Sequence, residues 1–220
     1  MIDKELSNQI QTFFKQNNYV VIKNHISPET AAVCYQYAKT KVQAIDFKLM
    51  NEPTKWDEDW DGRFGDGQIE KDFNSYGDPL MDSILAVSHK AMQEYTGLNL
   101  VPNYSYWRLY EKGSELKKHI DRPSCEISTT LCLGYDVSNL ETEYNWPMYV
   151  KVNDQDVPLF LEPGDMIVYR GTMVEHWREP FLGLNHAQVF LHYNDADGPY
   201  QIKFDGRPIL GIPQRYGEMK

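Results

Sequence analysis

Apolar positions in the first hundred residues recur at helical spacing, whereas those in the second hundred alternate. Ile2, Leu6, Ile10, Phe13 and Phe14 share one face of a helix predicted over about residues 3–16, which Asn17-Asn18 ends. Tyr19-Val20-Val21-Ile22 reads as a short strand. Ser27-Pro28-Glu29 combines an N-cap serine with a proline at the first helical position, and starts a second helix. Ala31, Cys34, Tyr35, Ala38 and Val42 form its apolar face, so its predicted end is near Ala44. Residues 47–77 carry Trp56, Trp60, five aspartates and several glycines with no period, and are expected to form a loop, either a lid or an ordered surface segment. Asp78-Pro79 opens a third helix, with Leu80, Ile84, Val87, Ala91 and Tyr95 inward and Gly97 closing it.

From residue 100 the period is two. Tyr104, Tyr106, Arg108 and Tyr110 lie on one side of a strand, and Ser105, Trp107 and Leu109 on the other. Further strands are predicted at about 126–134, 146–151, 157–162, 166–170 and 186–193, with shorter ones near 117–120 and 174–178. Turn residues separate several of them, as at Glu162-Pro163-Gly164-Asp165. Many short strands with such turns indicate a sandwich, jelly roll or barrel. The expected fold is mainly β with flanking helices (α+β), in one domain over 1–220. Within it, 1–99 is a mainly helical support, 100–195 the strand core and 196–220 a C-terminal extension.

Composition narrows the partners. Hydrophobic residues make up 41% of the chain, enough for a core, yet no run approaches the ~20 apolar residues of a membrane span. The amphipathic N-terminus lacks the apolar centre of a signal peptide, so a cytoplasmic location without membrane attachment is expected. A net charge of −10 disfavours nucleic acid, whose binding rests on phosphate neutralisation. Cys34, Cys125 and Cys132 show no C-x-x-C spacing and read as reduced core thiols. Fifteen tyrosines and five tryptophans suit a strand-rich core or an aromatic-lined groove.

The candidate chemistry lies in His119-Ile120-Asp121 and in His176. An extended backbone puts the two outer side chains of H-x-D on one face. Two imidazoles and one carboxylate make a facial triad with open coordination positions, the geometry of non-haem iron(II) oxygenases. A short motif alone also fits a surface strand with a solvated His and Asp, so its context decides.

That context resembles the 2-oxoglutarate/iron(II)-dependent dioxygenase superfamily, and within it the prolyl-hydroxylase-like group. The resemblance runs through Tyr19–Glu29, Tyr110-Glu111-Lys112-Gly113 ahead of the H-x-D, and Ser128–Leu133. It continues through Pro163–Tyr169 and closes on Glu175–Pro180 and His186–Tyr193. It implies a double-stranded β-helix, or jelly roll, with helices packed on it. The implied metal is Fe(II) held by His119, Asp121 and His176; 2-oxoglutarate is the implied cosubstrate, O2 the oxidant and ascorbate a stimulant. The implied reaction is hydroxylation of an unactivated C–H bond, in a prolyl or other side chain of a peptide or protein, or in a small molecule.

One departure concerns the cosubstrate. The group places an arginine or lysine about ten residues after the distal histidine, where a charge-assisted pair holds the far carboxylate. Here that residue is His186, and 179–202 contain no Lys or Arg. His186, Arg178, Arg108 and Arg170 are the candidate replacements, with Tyr110 and Gln188 as hydrogen-bonding neighbours. Of the other histidines, His25 and His89 are expected to be exposed or satisfied, and His192 to face inward. Trp107 and Trp177 are expected to pack, Tyr106 to line the pocket, Arg122 and Trp146 to lie at its rim, and Glu126 to pair with a nearby base or sit in solvent. The competing readings are a cupin-like metal enzyme that does not use 2-oxoglutarate and a non-catalytic jelly-roll binding module.

Overall fold

The structure is a computed structural model that describes residues 4–217. Helix α1 (Lys4–Asn17) leads through Asn18, in the left-handed region, into strand β1 (Tyr19–Ile22). Helix α2 (Pro28–Asn51) is capped by Ser27 Oγ, which accepts from Thr30 N–H. It runs seven residues beyond the predicted end. Ile45 and Leu49 continue the stripe onto the core, but the exposed Phe47 and Met50 blur the period in sequence.

The predicted loop at 47–77 is instead built from short ordered elements. A single 3-10 turn at Pro53–Lys55 precedes helix α3 (Glu58–Asp61) and the hairpin of β2 (Arg63–Phe64) and β3 (Phe73–Tyr76). Strand β3 pairs along β4 (Leu100–Glu111), so the hairpin extends the main sheet. The strand hid from the pattern because its centre, Asn74 and Ser75, is polar and buried. Between them, helix α4 (Pro79–Thr96) has Asp78 accepting from Leu80 and Met81 N–H at its start, and Gly97 at φ +71° at its end. Its buried face is Met81, Ile84, Leu85, Ser88, Met92 and Tyr95; Val87, expected inside, is 77% exposed.

The remaining strands are β5 (Leu116–His119), β6 (Ile127–Asp136), β7 (Met148–Val152), β8 (Gln155–Leu159), β9 (Met166–Arg170), β10 (His176–Arg178) and β11 (Asn185–Asp195). They form two antiparallel sheets, ordered β1-β9-β6-β11-β4-β3-β2 and β5-β10-β7-β8. This is the expected jelly roll of mainly β structure with helices on it. The region before residue 100 is less purely a helical support than expected, because β1, β2 and β3 join the larger sheet.

Both faces of the larger sheet are covered, which explains why β6 and β11 are buried almost throughout. Leu131, Leu133, Val189, Leu191 and Trp107 face the helices and pack with Phe14, Cys34, Ala38, Leu85 and Met92. The alternate positions face the smaller sheet, where Cys132 packs with Met148, Val150, Ile167 and Tyr169. All three cysteines are buried free thiols, as expected. The C-terminal residues fold back through Arg207, which donates to Asp82 Oδ2 (3.0 Å), Asn103 O (2.9 Å) and Ile212 O (2.6 Å). No helix among the described residues is long and apolar enough to cross a membrane.

Candidate metal centre

The centre forms in the smaller sheet, at the end of β5 beside β10. His119 on β5 and His176 on β10 are direct cross-strand partners, with ring centroids 4.3 Å apart. Asp121 lies two residues past His119, and its backbone N–H is fixed by Gly171 O at 2.8 Å. Its Oδ1 is 3.7 Å from His119 Nε2 and 3.6 Å from His176 Nε2. Ligands at right angles with bonds of about 2.1 Å stand roughly 3 Å apart, so a small contraction completes the set.

Hydrogen bonds behind the ligands fix their free atoms. His119 Nδ1 lies 2.7 Å from Lys117 O, and His176 Nδ1 lies 3.0 Å from Val174 O. A carbonyl only accepts, so both Nδ1 atoms carry a proton, and in the neutral rings both Nε2 atoms present a lone pair. Asp121 Oδ2 accepts from Ser128 Oγ at 2.7 Å, which leaves Oδ1 facing the histidines. With the Ser128 hydroxyl donating to Asp121, His192 Nδ1 donates to Ser128 Oγ at 3.0 Å. His192 is inward and hydrogen-bonded, as expected. Gly171 closes this side: a Cβ there would meet Cys125 O at 2.2 Å and Asp121 Oδ2 at 2.4 Å.

The triad lines a cavity of about 290 Å³ between the sheets, close to the lower limit of ordinary ligand pockets. Arg178, two residues beyond His176, reaches the same cavity and is only 1% exposed. Its guanidinium donates to Trp146 O (2.8 Å) and Gln188 Oε1 (2.9 Å) and lies over the Trp146 ring. Among the described residues no carboxylate pairs with it. Burial accordingly pulls its pKa below the ordinary arginine value. Beside it, Gln188 Nε2 is buried without a partner.

The other candidates divide. Arg108 lines the cavity but is ion-paired with Asp66. His186 and Tyr110 lie behind the cavity wall. His186 stacks on Tyr135 and meets Trp146 edge-on; burial, then Arg178, keep it neutral, so it is no cationic substitute. Tyr110 packs on Trp146, and its hydroxyl accepts from Arg108 at 3.4 Å. Arg170 lies over the Phe14 ring, away from the cavity. Tyr106 lines the cavity, and Arg122 lies at its rim, paired with Asp205 at 2.8 Å. Trp107 is in the core, and Trp177 stacks on Tyr149 beneath Lys118. Trp146, expected at the rim, does not line the cavity and lies beneath the Arg178 guanidinium. Among the described residues Glu126 pairs with no base; it accepts from Asp195 N–H and Asn194 Nδ2. His25 and His89 are satisfied by Ser88, Tyr95 and Leu100 O.

Sequence reasoning missed Ser128, Gly171, Asp66 and Gln68. Period two puts Ser128 on the inward face of its strand with Thr130, a usable signal. Nothing in the sequence marks Gly171 or the two loop residues.

No family model matches the sequence, and no curated protein matches it either. Solved structures do match in fold. A prolyl-4-hydroxylase from Pseudomonas putida superposes with a TM-score of 0.64 at 12% identity, over 86% of this chain and 98% of that one. EctD from S. alaskensis, determined with 2-oxoglutarate and 5-hydroxyectoine, gives 0.64 at 15% identity, over 96% and 83%. The epimerase SnoN, in complex with Fe3+, alpha ketoglutarate and nogalamycin RO, gives 0.64 at 12% identity, over 96% of each chain. The scaffold is therefore the jelly roll that 2-oxoglutarate/Fe(II)-dependent oxygenases use.

Proposed function

We propose that the protein is an iron(II)- and 2-oxoglutarate-dependent oxygenase that hydroxylates an unactivated C–H bond. The observation that carries this reading is Arg178: a buried guanidinium without a carboxylate, in the cavity that holds the His119–Asp121–His176 triad. An unpaired buried cation is costly, and a carboxylate of a bound ligand relieves that cost.

The residues fit both groups. His119 Nε2, Asp121 Oδ1 and His176 Nε2 would hold Fe(II), and two histidines with one carboxylate suit that ion. Arg178, steadied by Gln188, would hold the distal carboxylate of 2-oxoglutarate, the role that sequence distributed over several candidates. When bound, the iron and its cosubstrate activate O2 for attack on a C–H bond. The chain's own part is positioning. Lys117 O and Val174 O orient the imidazoles, Ser128 steers Asp121, and the aromatic walls at Tyr106 and Phe190 shield the cavity from water. A cavity this small suits a small molecule or a single side chain of a peptide.

The test is conversion of 2-oxoglutarate to succinate with Fe(II) and ascorbate, comparing wild type with His119→Ala and Asp121→Ala. Turnover in wild type that both variants lose supports the reading. Failure of the metal-loaded protein to bind 2-oxoglutarate at all sinks it.

A further inference from the structure

The turn between β2 and β3 is built to hold one side chain, Gln68, over the metal centre. Gly65 N–H donates to Asp72 O (2.9 Å) and Asp66 N–H to Ile69 O (2.8 Å). Gly65 sits at φ +75°, and a Cβ there would meet Glu70 O at 2.2 Å. Asp66 Oδ1 accepts from the N–H groups of Gln68 (2.8 Å) and Ile69 (2.9 Å). Its Oδ2 accepts from the Tyr106 hydroxyl and from Arg108. Burial alone would raise the Asp66 pKa, but Arg108, the Tyr106 hydroxyl and these N–H groups outweigh it and hold the carboxyl below its usual range. Ile69 completes the anchor by packing with Tyr110, Leu116, Trp146 and Phe181.

The amide of Gln68 is oriented from both ends. Arg108 Nη2 donates to Oε1 at 3.3 Å, so the oxygen faces the arginine. Gln68 Nε2 then faces His119 Nε2 at 3.1 Å. Because His119 Nδ1 donates to Lys117 O, His119 Nε2 is the acceptor and Gln68 the donor. The lone pair that receives this hydrogen bond is the one a metal ligand uses, and it cannot serve both.

We propose that Gln68 is a fourth residue of the metal centre, a positioning residue that competes with the metal for His119 Nε2 and so sets metal affinity. In the free protein its hydrogen bond keeps the His119 ring aimed at Asp121 and His176. Metal entry displaces the amide, which stays tethered beside the coordination face by the Asp66–Arg108 anchor. This inference rests on the triad's being a metal site, as proposed above.

The test is titration of Mn(II) alone into the metal-free protein, followed by calorimetry and electron paramagnetic resonance. Gln68 is exposed at its backbone turn, and thermal melts check that its variants fold. Gln68→Ala should bind Mn(II) about two- to tenfold more tightly, the net worth of one hydrogen bond. Gln68→Glu, whose second oxygen can reach the metal, should bind tighter still and alter the Mn(II) spectrum. In metal-free Gln68→Ala the 15N resonance of His119 Nε2 should move while its tautomer stays the same, which a merely structural role would not produce. Wild type that binds Mn(II) with a Gln68→Ala variant that binds equally or more weakly overturns the competition and leaves the centre standing. Wild type that takes no Mn(II) overturns the metal centre and this proposal together.

Discussion

Arg178 and Arg108 line the same cavity and are almost equally buried, yet their surroundings are opposite. Arg178, at the floor, projects from a strand between neighbours that offer only a carbonyl and an amide oxygen. Arg108, nearer the roof, is neutralised by Asp66 from the β2–β3 turn, and Arg122 at the rim is likewise neutralised by Asp205. Burial is the first influence on both floor and roof arginines and pulls each pKa down. Around Arg108, Tyr110, Tyr106 and Asp66 reverse the direction. The roof has satisfied its own charges and can stay closed without a ligand. The floor has not, and its unmet charge marks where an anion belongs. Under the function proposed above, that contrast favours Arg178 among the candidates for the cosubstrate carboxylate, and it supports that proposal over a cupin-like reading without 2-oxoglutarate.

The contrast can be broken in several places. The largest effect lies between floor and roof, at the triad. Alanine at His119, Asp121 or His176 should weaken Mn(II) or Fe(II) binding by about a hundredfold or more, since even the groups that orient ligands are worth ten- to a hundredfold. Calorimetric titration checks it, and near-wild-type affinity in all three would remove the site. Next is the floor. Arg178→Leu should lower 2-oxoglutarate affinity of the Mn(II)-loaded protein by roughly two to three orders of magnitude, the usual cost of removing one partner of a buried charge pair. The same variant should not destabilise the ligand-free fold, because an unpaired buried cation is lost. A large drop in melting temperature would mean the floor charge is structural.

At the roof the outcome should be reversed. Asp66→Asn leaves the Arg108 charge buried and uncompensated, and should cost about 2 kcal/mol in urea unfolding. Its effect on 2-oxoglutarate affinity should be small; a loss matching that of Arg178→Leu would reassign the cosubstrate to the roof.

The smallest effect lies outside the cavity. His25, held by Ser88 and Tyr95, is pushed by burial from 6.5 to about 4. Its folded pKa lies below its unfolded one, so the unfolded chain takes the proton first. The stabilisation is complete above about pH 6.5 and fades as pH falls toward 4, with about 1 kcal/mol gone by pH 5.5. His25→Gln should flatten the melting-temperature profile over that window, and an unchanged slope would refute the assignment.

Helices with caps were legible from sequence because their signals are local. Ser27-Pro28 and Asp78-Pro79 start helices and Gly97 ends one wherever the chain places them. The end of α2 was not legible, because Phe47 and Met50 look apolar but face outward. The 53–76 segment was not legible either. Its short strands earn their place by pairing with β4, and their buried polar residues carry no periodic signature. In the site, the triad could be read from H-x-D and a distant histidine, because two of its members are two residues apart in the sequence, at and just past the end of β5.

The sequence by itself thus determined the order of helices and strands outside residues 53–76, through capping and alternation, and it pointed to the triad through the spacing of His119 and Asp121 and the resemblance that adds His176. Only the tertiary structure decided which of the cavity's arginines lacks a carboxylate among the described residues, that Asp66 and Gln68 come from 40 or more positions away to Arg108, and that Ser128 steers Asp121. The reason is physical. Local patterns report backbone conformation and which face is buried, whereas whether a buried charge is paired depends on side chains delivered by strands distant in sequence. An arginine has the same letter with or without its aspartate, and only the packed sheets show which one lacks it.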